Sequence, residues 1–187
     1  MNILIVTSNR CGSMALANWI QKELSITDTI SYSIINNSEV DKDVFSKINN
    51  SIVILLYSDY KKLIIDKKYI PEENFDFTIC LKRESSKDQA ESYLWNIQNK
   101  KNKPYIINDN WIEENKKELK KLESKFKKEY DEMSIVFGYH ASYESVFADS
   151  IPQDLWNISS YIGIRPAFYW KIAPTFKLRR FDKINLI

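Results

Sequence analysis

Short apolar runs alternate with segments of helical spacing along the chain. Residues 3–6 form an uninterrupted apolar run, typical of a buried strand, and apolar residues within 16–24 then recur at helical spacing. The same alternation predicts strands at 29–35, 52–57, 77–81 and 135–139, and helices at 40–48, 60–69, 86–99 and 111–130. This pattern favours an α/β fold with a mostly parallel central sheet and helices on both faces. Because no internal repeat or linker interrupts the 187 residues, we expect a single domain over 1–187.

The charge and cysteine content exclude several classes of protein. The 27 lysines and arginines are balanced by 25 acidic residues, and the net charge of +2 argues against a general nucleic-acid binder. Cys11 and Cys80 lie far apart, and His140 is the single histidine, so neither a disulfide scaffold nor a zinc site is expected. No apolar stretch approaches the about 18 residues of a membrane helix, and the first residues lack the basic leader of a signal peptide. We therefore expect a cytoplasmic protein without a membrane span.

The turn between the first strand and the first helix, residues 7–13, is the first candidate site. A loop of this shape directs backbone N–H groups and the positive end of a helix at an anion. Gly12 permits close approach of the backbone, Ser13 offers a hydroxyl, and Arg10 adds a permanent cation. No lysine follows Gly12, so this is not a Walker A loop. The alternative is an ordinary turn whose helix is capped by Ser13.

A second candidate site, residues 81–92, also lies where a buried strand runs into a helix. Arg83 is predicted at the carboxyl edge of the sheet, where open α/β sheets bind their ligands. Ser86 and Gln89 have the spacing of a capping box, and Ser92 lies about two turns into the helix. Two anion-binding strand ends in one sheet suit a ligand that carries phosphates at two separated positions.

These segments together resemble the sulfotransferases that use 3′-phosphoadenylyl sulfate (PAPS). Residues 8–14 are similar to the loop that holds the 5′-phosphosulfate in that family. Residues 143–149 and 161–164 resemble its later motifs, so the resemblance extends over residues 3–165. The 3′-phosphate motif of the bacterial trehalose sulfotransferase branch is matched in order and spacing by Arg83, Gln89, Ala90, Ser92 and Gln98.

The resemblance implies a P-loop NTPase-like three-layer fold and a reaction without a metal. In that reaction the sulfonate of PAPS moves to a hydroxyl, or less often an amine, of an acceptor, and PAP is the product. Arg10 would bind the 5′-phosphate and the bridging oxygen, where a cation stabilises the charge of the leaving group. The cofactor contacts implied by the resemblance are Arg10, Cys11, Gly12, Ser13, Met14, Arg83, Ser92 and Tyr143.

The C-terminal segment is locally basic. Sulfotransferases draw a contact to the 3′-phosphate from this region, so the resemblance implies that Arg179 or Arg180 folds back to the cofactor. A solvated terminal segment is the alternative.

Two loop residues depart from the family pattern. Met14 replaces a hydroxyl residue, which removes a hydrogen-bond donor, and Cys11 replaces a serine. A cysteine at a helix N terminus can have a depressed pKa, so a reactive thiol at Cys11 is an alternative interpretation.

The motifs do not identify the general base. Transfer to a hydroxyl benefits from a group within hydrogen-bond reach that accepts the proton. Asp28 is the carboxylate nearest to the place where the trehalose-type enzymes carry a glutamate, and Asp59 follows the third strand, where other sulfotransferases carry a histidine. The alternatives are a turn residue at Asp28 and a helix N-cap at Asp59. His140 is a third candidate, and its alternative is a structural role.

Other functions and the acceptor stay open at the level of sequence. The chain also suits a catalytically inactive protein that binds PAP, or a kinase with a variant P-loop, which would prefer ATP with Mg²⁺. The acceptor is a small molecule, a carbohydrate or a lipid. Because few residues remain for an acceptor site, we expect either a small or exposed acceptor or a homo-oligomer in which a second subunit completes the site.

Overall fold

The central sheet has five strands in the order β2-β3-β1-β4-β5, and all four pairs are parallel. The computed structural model describes residues 1–26, 28–32, 48–67, 70–99, 107–147 and 153–163. Every pair is parallel, so all five strands end at the same edge, which we call the carboxyl edge. The strands are β1 (Ile3–Thr7), β2 (Asp28–Tyr32), β3 (Ser51–Leu56), β4 (Phe77–Lys82) and β5 (Tyr139–Ser142).

Helices cover both faces of this sheet, which confirms the predicted α/β class. Among the residues that the structure describes, no helix is both long and apolar enough to cross a membrane. Single turns of 3-10 helix occur at Pro71–Asn74 and Met133–Ile135. The α-helices are α1 (Ser13–Leu24), α2 (Tyr57–Lys67), α3 (Ser86–Asn99), α4 (Asp109–Glu132), α5 (Tyr143–Val146) and α6 (Gln153–Tyr161).

The alternation of side chains along β1 explains the layers. Ile3 and Ile5 point to the face that packs against α1 and α6, whereas Leu4 and Val6 point to the face that packs against α2. Successive residues of a strand face opposite sides, so a strand that is apolar at every position must be covered twice. All five residues of β1 are buried, as expected for the middle strand of such a sheet.

A third apolar cluster joins α3 to α4 at the side of the sheet. Leu94 of α3 and Phe126 of α4 are buried within it, and the Trp95 and Trp111 rings meet edge to face with their centroids 5.5 Å apart. Leu119 and Phe126 thus form one buried stripe along α4. The long charged helix is fixed to the rest of the chain by this stripe, and its other faces are solvated.

Two of the predicted elements differ from the structure. The apolar run at 135–139 is not a strand, because Met133–Ile135 is a turn of 3-10 helix and β5 begins only at Tyr139. A Cβ on Gly138, whose φ is 141°, would lie 2.3 Å from the carbonyl oxygen of Thr78, so this turn requires glycine. The predicted helix at 60–69 begins earlier, at Tyr57, directly after β3. The helix predicted at 40–48 falls almost wholly on residues outside the described ranges.

Candidate functional site

Three separate segments of the sequence meet at the carboxyl edge. The pairing of Thr7 with Leu81 places the loop after β1 beside the loop after β4. The pairing of Lys82 with Ser142 places α5 next to them. The two predicted anion-binding segments and the segment that begins at Tyr143 therefore form one group of side chains.

The loop after β1 has a backbone that only glycine fits at its last position. Gly12 has a φ of 77°, and a Cβ there would lie 2.7 Å from Cε2 of Phe147 and 3.1 Å from the ring of Tyr143. Gly12 is also the N-cap of α1, so the alternative of a helix capped by Ser13 is wrong. No described side chain caps this helix, and its first turn holds no acidic residue. Its first N–H groups are therefore available to an anion.

Gln89 fixes the shape of that loop from α3. Its amide, which is 2% exposed, donates to the carbonyl oxygen of Asn9 at 2.6 Å and to Oγ of Ser8 at 3.0 Å, and it contacts Sγ of Cys11 at 3.4 Å. The predicted capping box between Ser86 and Gln89 is therefore wrong.

The cap of α3 is its neighbour Ser85. Oγ of Ser85 accepts from the backbone N–H of Asp88 at 3.2 Å. Ser85 and Ser86 are adjacent, and either could cap a helix that begins here. Gln89 is not part of the cap because its amide donates to the partly buried carbonyl of Asn9, which would otherwise lack a donor.

Arg10 and Ser92, which the resemblance assigns to the two phosphates, touch each other. Nε of Arg10 donates to Oγ of Ser92 at 3.0 Å, and Nη1 of Arg83 donates to the carbonyl oxygen of Arg10 at 3.2 Å. Arg10 is exposed and has a φ of 64°, a left-handed conformation that non-glycine residues seldom adopt. Strain at an exposed cation is a recurrent property of binding sites.

Arg83 is held between an aromatic ring and a carboxylate. Its Cζ lies 4.6 Å from the centroid of the Tyr143 ring, and its Nε lies 3.8 Å from Oε1 of Glu144. The same carboxylate accepts from the backbone N–H groups of Glu84 at 2.9 Å and Ser85 at 3.2 Å. The buried Nε donates no hydrogen bond to any described residue. Arg83 is thus a largely buried arginine, 14% exposed, with one donor that no described residue uses.

Cys11 is not a reactive thiol. The side chain is almost completely buried, and this burial raises the pKa of Cys11 to about 12. The alternative of a depressed pKa at the helix N terminus is therefore wrong, because desolvation outweighs the nearby Arg83 charge. Cys11 and Cys80 are both free and buried.

The two candidate bases lie at opposite edges of the sheet. Asp59 is in the first turn of α2, just beyond the carboxyl end of β3, and has no exposed surface; Nζ of Lys62 lies 3.8 Å from its Oδ1. Asp28 begins β2 and pairs with Ser51 at the amino edge, so it does not join the group around Arg10. Nε2 of His140 lies 2.8 Å from the carbonyl oxygen of Val136, a contact within its own turn.

The remaining predicted residues fall in three places. Met14 lies in the first turn of α1 and is 49% exposed. Gln98 lies at the far end of α3, where it donates to Asn115 of α4 at 2.8 Å, so it stabilises the helix pair instead of the site. Arg179 and Arg180 lie outside the described residues. The described part of the chain holds no cluster of three or more metal-ligating side chains.

Sequence reasoning missed Glu129 and the groove beside it. Oγ of Ser8 donates to Oε2 of Glu129, so α4 reaches the end of β1. A groove of about 410 Å³ lies between α2 and α4, and its polar lining includes this carboxylate. The sequence pattern that could have identified Glu129 is its helical spacing. It lies three residues after Phe126 and next to Tyr130, which places the carboxylate near the apolar stripe of α4.

Comparisons with known proteins identify no family. No protein family compared with the chain matches it, and no curated protein does. Among solved structures, the chain is similar to the YorR protein of Bacillus subtilis, which was solved in complex with phosphorylated GDP. The two share 14% identity, with a TM-score of 0.47 over 87% of this chain and 98% of that chain. A likeness at this level carries no argument about what the present chain binds.

Proposed function

We propose that the chain binds PAPS at the carboxyl edge and transfers its sulfonate to a hydroxyl of an acceptor. The observation that carries the proposal is the contact between Arg10 and Ser92, which joins the loop after β1 to α3. It unites two segments that were assigned from sequence to two different phosphates of one ligand. A nucleotide with phosphates at both its 5′ and 3′ positions suits such a pair of adjacent anion sites.

The electrostatics of the edge support a ligand with two phosphates. The N terminus of α1, which no described side chain caps, would hold the 5′-phosphosulfate through the N–H groups of residues 11–14, with Arg10 beside it. Arg83, whose Nε is unused, and the hydroxyl of Ser92 would hold the 3′-phosphate. Tyr143 already packs against the guanidinium of Arg83 and would border the adenine. Each phosphate thus has one arginine and one group of neutral donors.

The chemical step needs no group other than these and a base. The acceptor oxygen forms a bond to sulfur while the bond between sulfur and the bridging oxygen breaks. The electron pair of that bond stays on the 5′-phosphate, which gives PAP, and the acceptor proton passes to a base. Arg10 stabilises the charge that develops on the bridging oxygen. No metal takes part in the proposed step.

A second candidate function is favoured by the burial of Asp59. The carboxylate has no exposed surface in the described structure, and Asp28 lies at the opposite edge. If neither of these, nor any other group, takes the proton, the chain is a protein that binds PAP without turning over PAPS. The kinase is the weaker alternative, because no lysine follows Gly12.

Calorimetric titration of PAP and ADP tests the nucleotide assignment. We expect PAP to bind wild type at least about tenfold more tightly than ADP, a difference of about 1.4 kcal/mol. Arg83→Ala should bind both equally, because the 3′-phosphate has lost its cation. Lys87→Ala, which removes an exposed cation from the first turn of α3, is the matched control and should bind as wild type does. Circular dichroism checks the folding of each variant.

Two outcomes would overturn the proposal. If wild type bound PAP and ADP with equal affinity, or bound neither, Arg83 would not recognise a 3′-phosphate. Tight PAP binding together with no release of PAP from PAPS in the presence of an acceptor panel would favour the inactive protein.

A further inference from the structure

The groove between α2 and α4 is not used by any role described so far. Its volume of about 410 Å³ lies within the range of small-molecule sites. We propose that this groove binds the acceptor, that the acceptor is a hydroxyl compound bearing an acidic group, and that Glu129 takes its proton. The inference rests on the proposed function, since it names the second substrate of the same reaction.

The groove lies beside the start of the loop after β1. Thr7 pairs with Leu56, so Tyr57 and Ser58, which line the groove, follow a strand that ends next to β1. Oε2 of Glu129 accepts from Oγ of Ser8, two residues before Arg10. An acceptor in the groove therefore approaches the sulfonate from the side of β3, next to the leaving phosphate held by Arg10.

A buried hydroxyl in the groove lacks a partner. Oη of Tyr57 is enclosed and makes no hydrogen bond to any described residue, although Tyr57 lines the groove. Burial, followed by the nearby Glu132 carboxylate, raises the pKa of Tyr57, so the group stays protonated and can donate. A buried polar group without a partner is unfavourable, and a polar ligand removes that penalty.

The charges around the groove favour an acidic ligand. Lys61 pairs with Glu132 at 2.8 Å, Lys125 with Glu129 at 3.7 Å, and Lys62 with Asp59 at 3.8 Å. Among the described residues, Lys128 pairs with this same Glu132, which it shares with Lys61, at 3.8 Å. Four ammonium groups thus meet three carboxylates. The excess positive charge, at Lys128 because it shares its carboxylate with Lys61, would bind one carboxylate or sulfate of the acceptor.

Glu129 is placed to accept the proton of the acceptor hydroxyl. The side chain is 14% exposed, lines the groove and uses Oε2 to accept from Ser8. In the proposed step the acceptor hydroxyl donates to this carboxylate, the O–H bond breaks as the oxygen–sulfur bond forms, and the proton remains on Glu129 until it is lost to water. Asp59 has no exposed surface and cannot meet the acceptor in this arrangement.

Binding of two matched probes tests the groove without any nucleotide. p-Nitrophenyl glucuronide and p-nitrophenyl glucoside have the same rings and differ only at C6, which is a carboxylate in the glucuronide and a hydroxymethyl group in the glucoside. By calorimetry we expect the glucuronide to bind wild type at least about fivefold more tightly than the glucoside, as one charge-assisted contact would give.

Three variants locate the probe. Lys128→Ala should remove the preference for the glucuronide, whereas the adjacent and exposed Lys127→Ala should keep it. Ile65→Trp fills the groove from a position that is already exposed, so it should abolish binding of both probes without unfolding the chain. Failure of the glucuronide to bind, or binding that Ile65→Trp leaves unchanged, would overturn the site.

Turnover of PAPS with the bound glucuronide tests the role of Glu129. Glu129→Gln should lower the release of PAP by at least about 100-fold, the usual loss on removing a general base, and leave PAP binding unchanged. Glu123→Gln, an exposed glutamate of the same helix, is the matched control. Ser8→Ala separates the two roles of Glu129, because an equal loss in that variant would show that the carboxylate only positions the loop.

The two proposals fail in different ways. If wild type bound PAP no more tightly than ADP, the nucleotide assignment would be overturned, but binding of the glucuronide in the groove would not be affected. A protein that binds PAP and the glucuronide, and that releases PAP from PAPS with another member of the acceptor panel but not with the glucuronide, would overturn the acceptor role of the groove alone.

Discussion

The side-chain amide of Gln89 donates to the carbonyl oxygen of Asn9 across 2.6 Å, and by this bond α3 holds the loop after β1 in shape. The two residues are 80 positions apart. The shape of this loop therefore depends on α3, the helix that follows the neighbouring strand β4.

Gln89→Leu should destabilise the chain by about 1–3 kcal/mol, because the partly buried carbonyl of Asn9 would lose its donor. Chemical denaturation followed by circular dichroism measures this difference. Gln98→Leu is the control on the same helix, where the amide is exposed, and should cost less than about 1 kcal/mol. Equal effects of the two substitutions would mean that the bond from Gln89 contributes nothing special to the loop.

Gly12→Ala should be more destabilising than Gly163→Ala, although the two glycines have nearly the same φ of 77° and 76°. Both substitutions cost about 1–2 kcal/mol for the left-handed backbone. Among the described residues, the new methyl meets a ring only at Gly12, that of Phe147 at 2.7 Å, and this clash adds about 1–3 kcal/mol. Free energies of unfolding for the two variants give the comparison.

The double variant Gly12→Ala, Phe147→Leu tests the origin of that excess. It should recover part of the lost stability relative to the value expected from the two single variants, since the leucine side chain is shorter than the ring. Additive effects would show that the strain comes from the backbone alone.

Tyr143→Leu should weaken PAP binding about two- to fivefold, because a cation–π contact with Arg83 worth about 0.5–1 kcal/mol is lost and the guanidinium is less well fixed. Tyr143→Phe keeps the ring and should bind PAP as wild type does. Isothermal titration separates the two. If the phenylalanine variant lost as much affinity as the leucine variant, the hydroxyl and not the ring would be the group that matters.

The two buried thiols predict a loss of stability in alkali. Burial raises the pKa of Cys11 and of Cys80 from 9.0 to about 12. Between these values the unfolded chain releases a proton that the folded chain keeps, so stability falls as pH rises, by about 1.4 kcal/mol per pH unit for each thiol. Urea denaturation at pH 8 and at pH 10 measures the slope.

Alkylation tests the burial of Cys11 and Cys80 directly, without a measurement of the free energy of unfolding. Iodoacetamide at pH 8 should label neither thiol of the native protein and both thiols of the protein in urea. Rapid labelling of Cys11 in the native state would show that the loop after β1 opens, and would contradict its burial.

The fold class was predictable from the sequence because strands and helices alternate with clear periods. β1 is apolar at each position from Ile3 to Val6 and buried throughout, as expected for a strand that is covered on both faces, and α3 has the predicted bounds of 86–99. The strand predicted at 135–139 failed because an apolar run does not distinguish a strand from an exposed turn. Phe137 in that run is 82% exposed, and the approach of Gly138 to Thr78 fixes where β5 can begin.

Only those residues of the candidate site that local sequence patterns mark could be predicted. Arg10 and Arg83 were candidates because each follows a strand end, Ser92 because of the family resemblance, and parallel pairing brings the three together. Asp28 directly precedes the predicted strand at 29–35, so a parallel sheet already places it at the amino edge, and only the family resemblance made it a candidate base. Glu129 was missed because it comes from a helix that is charged nearly throughout, and its contact with Ser8 is non-local.

The contact between Ser8 and Glu129 spans 121 residues, and that between Arg10 and Ser92 spans 82. Closing loops of this length costs entropy that only the assembled sheet and helices repay, so such contacts form late in folding. β1 and α1 alone cannot form the edge that would receive the ligand, because Ser92 and Glu129 belong to α3 and α4. Ligand binding during refolding should therefore appear together with the last slow phase, and a ligand that binds here selects chains whose folding is complete.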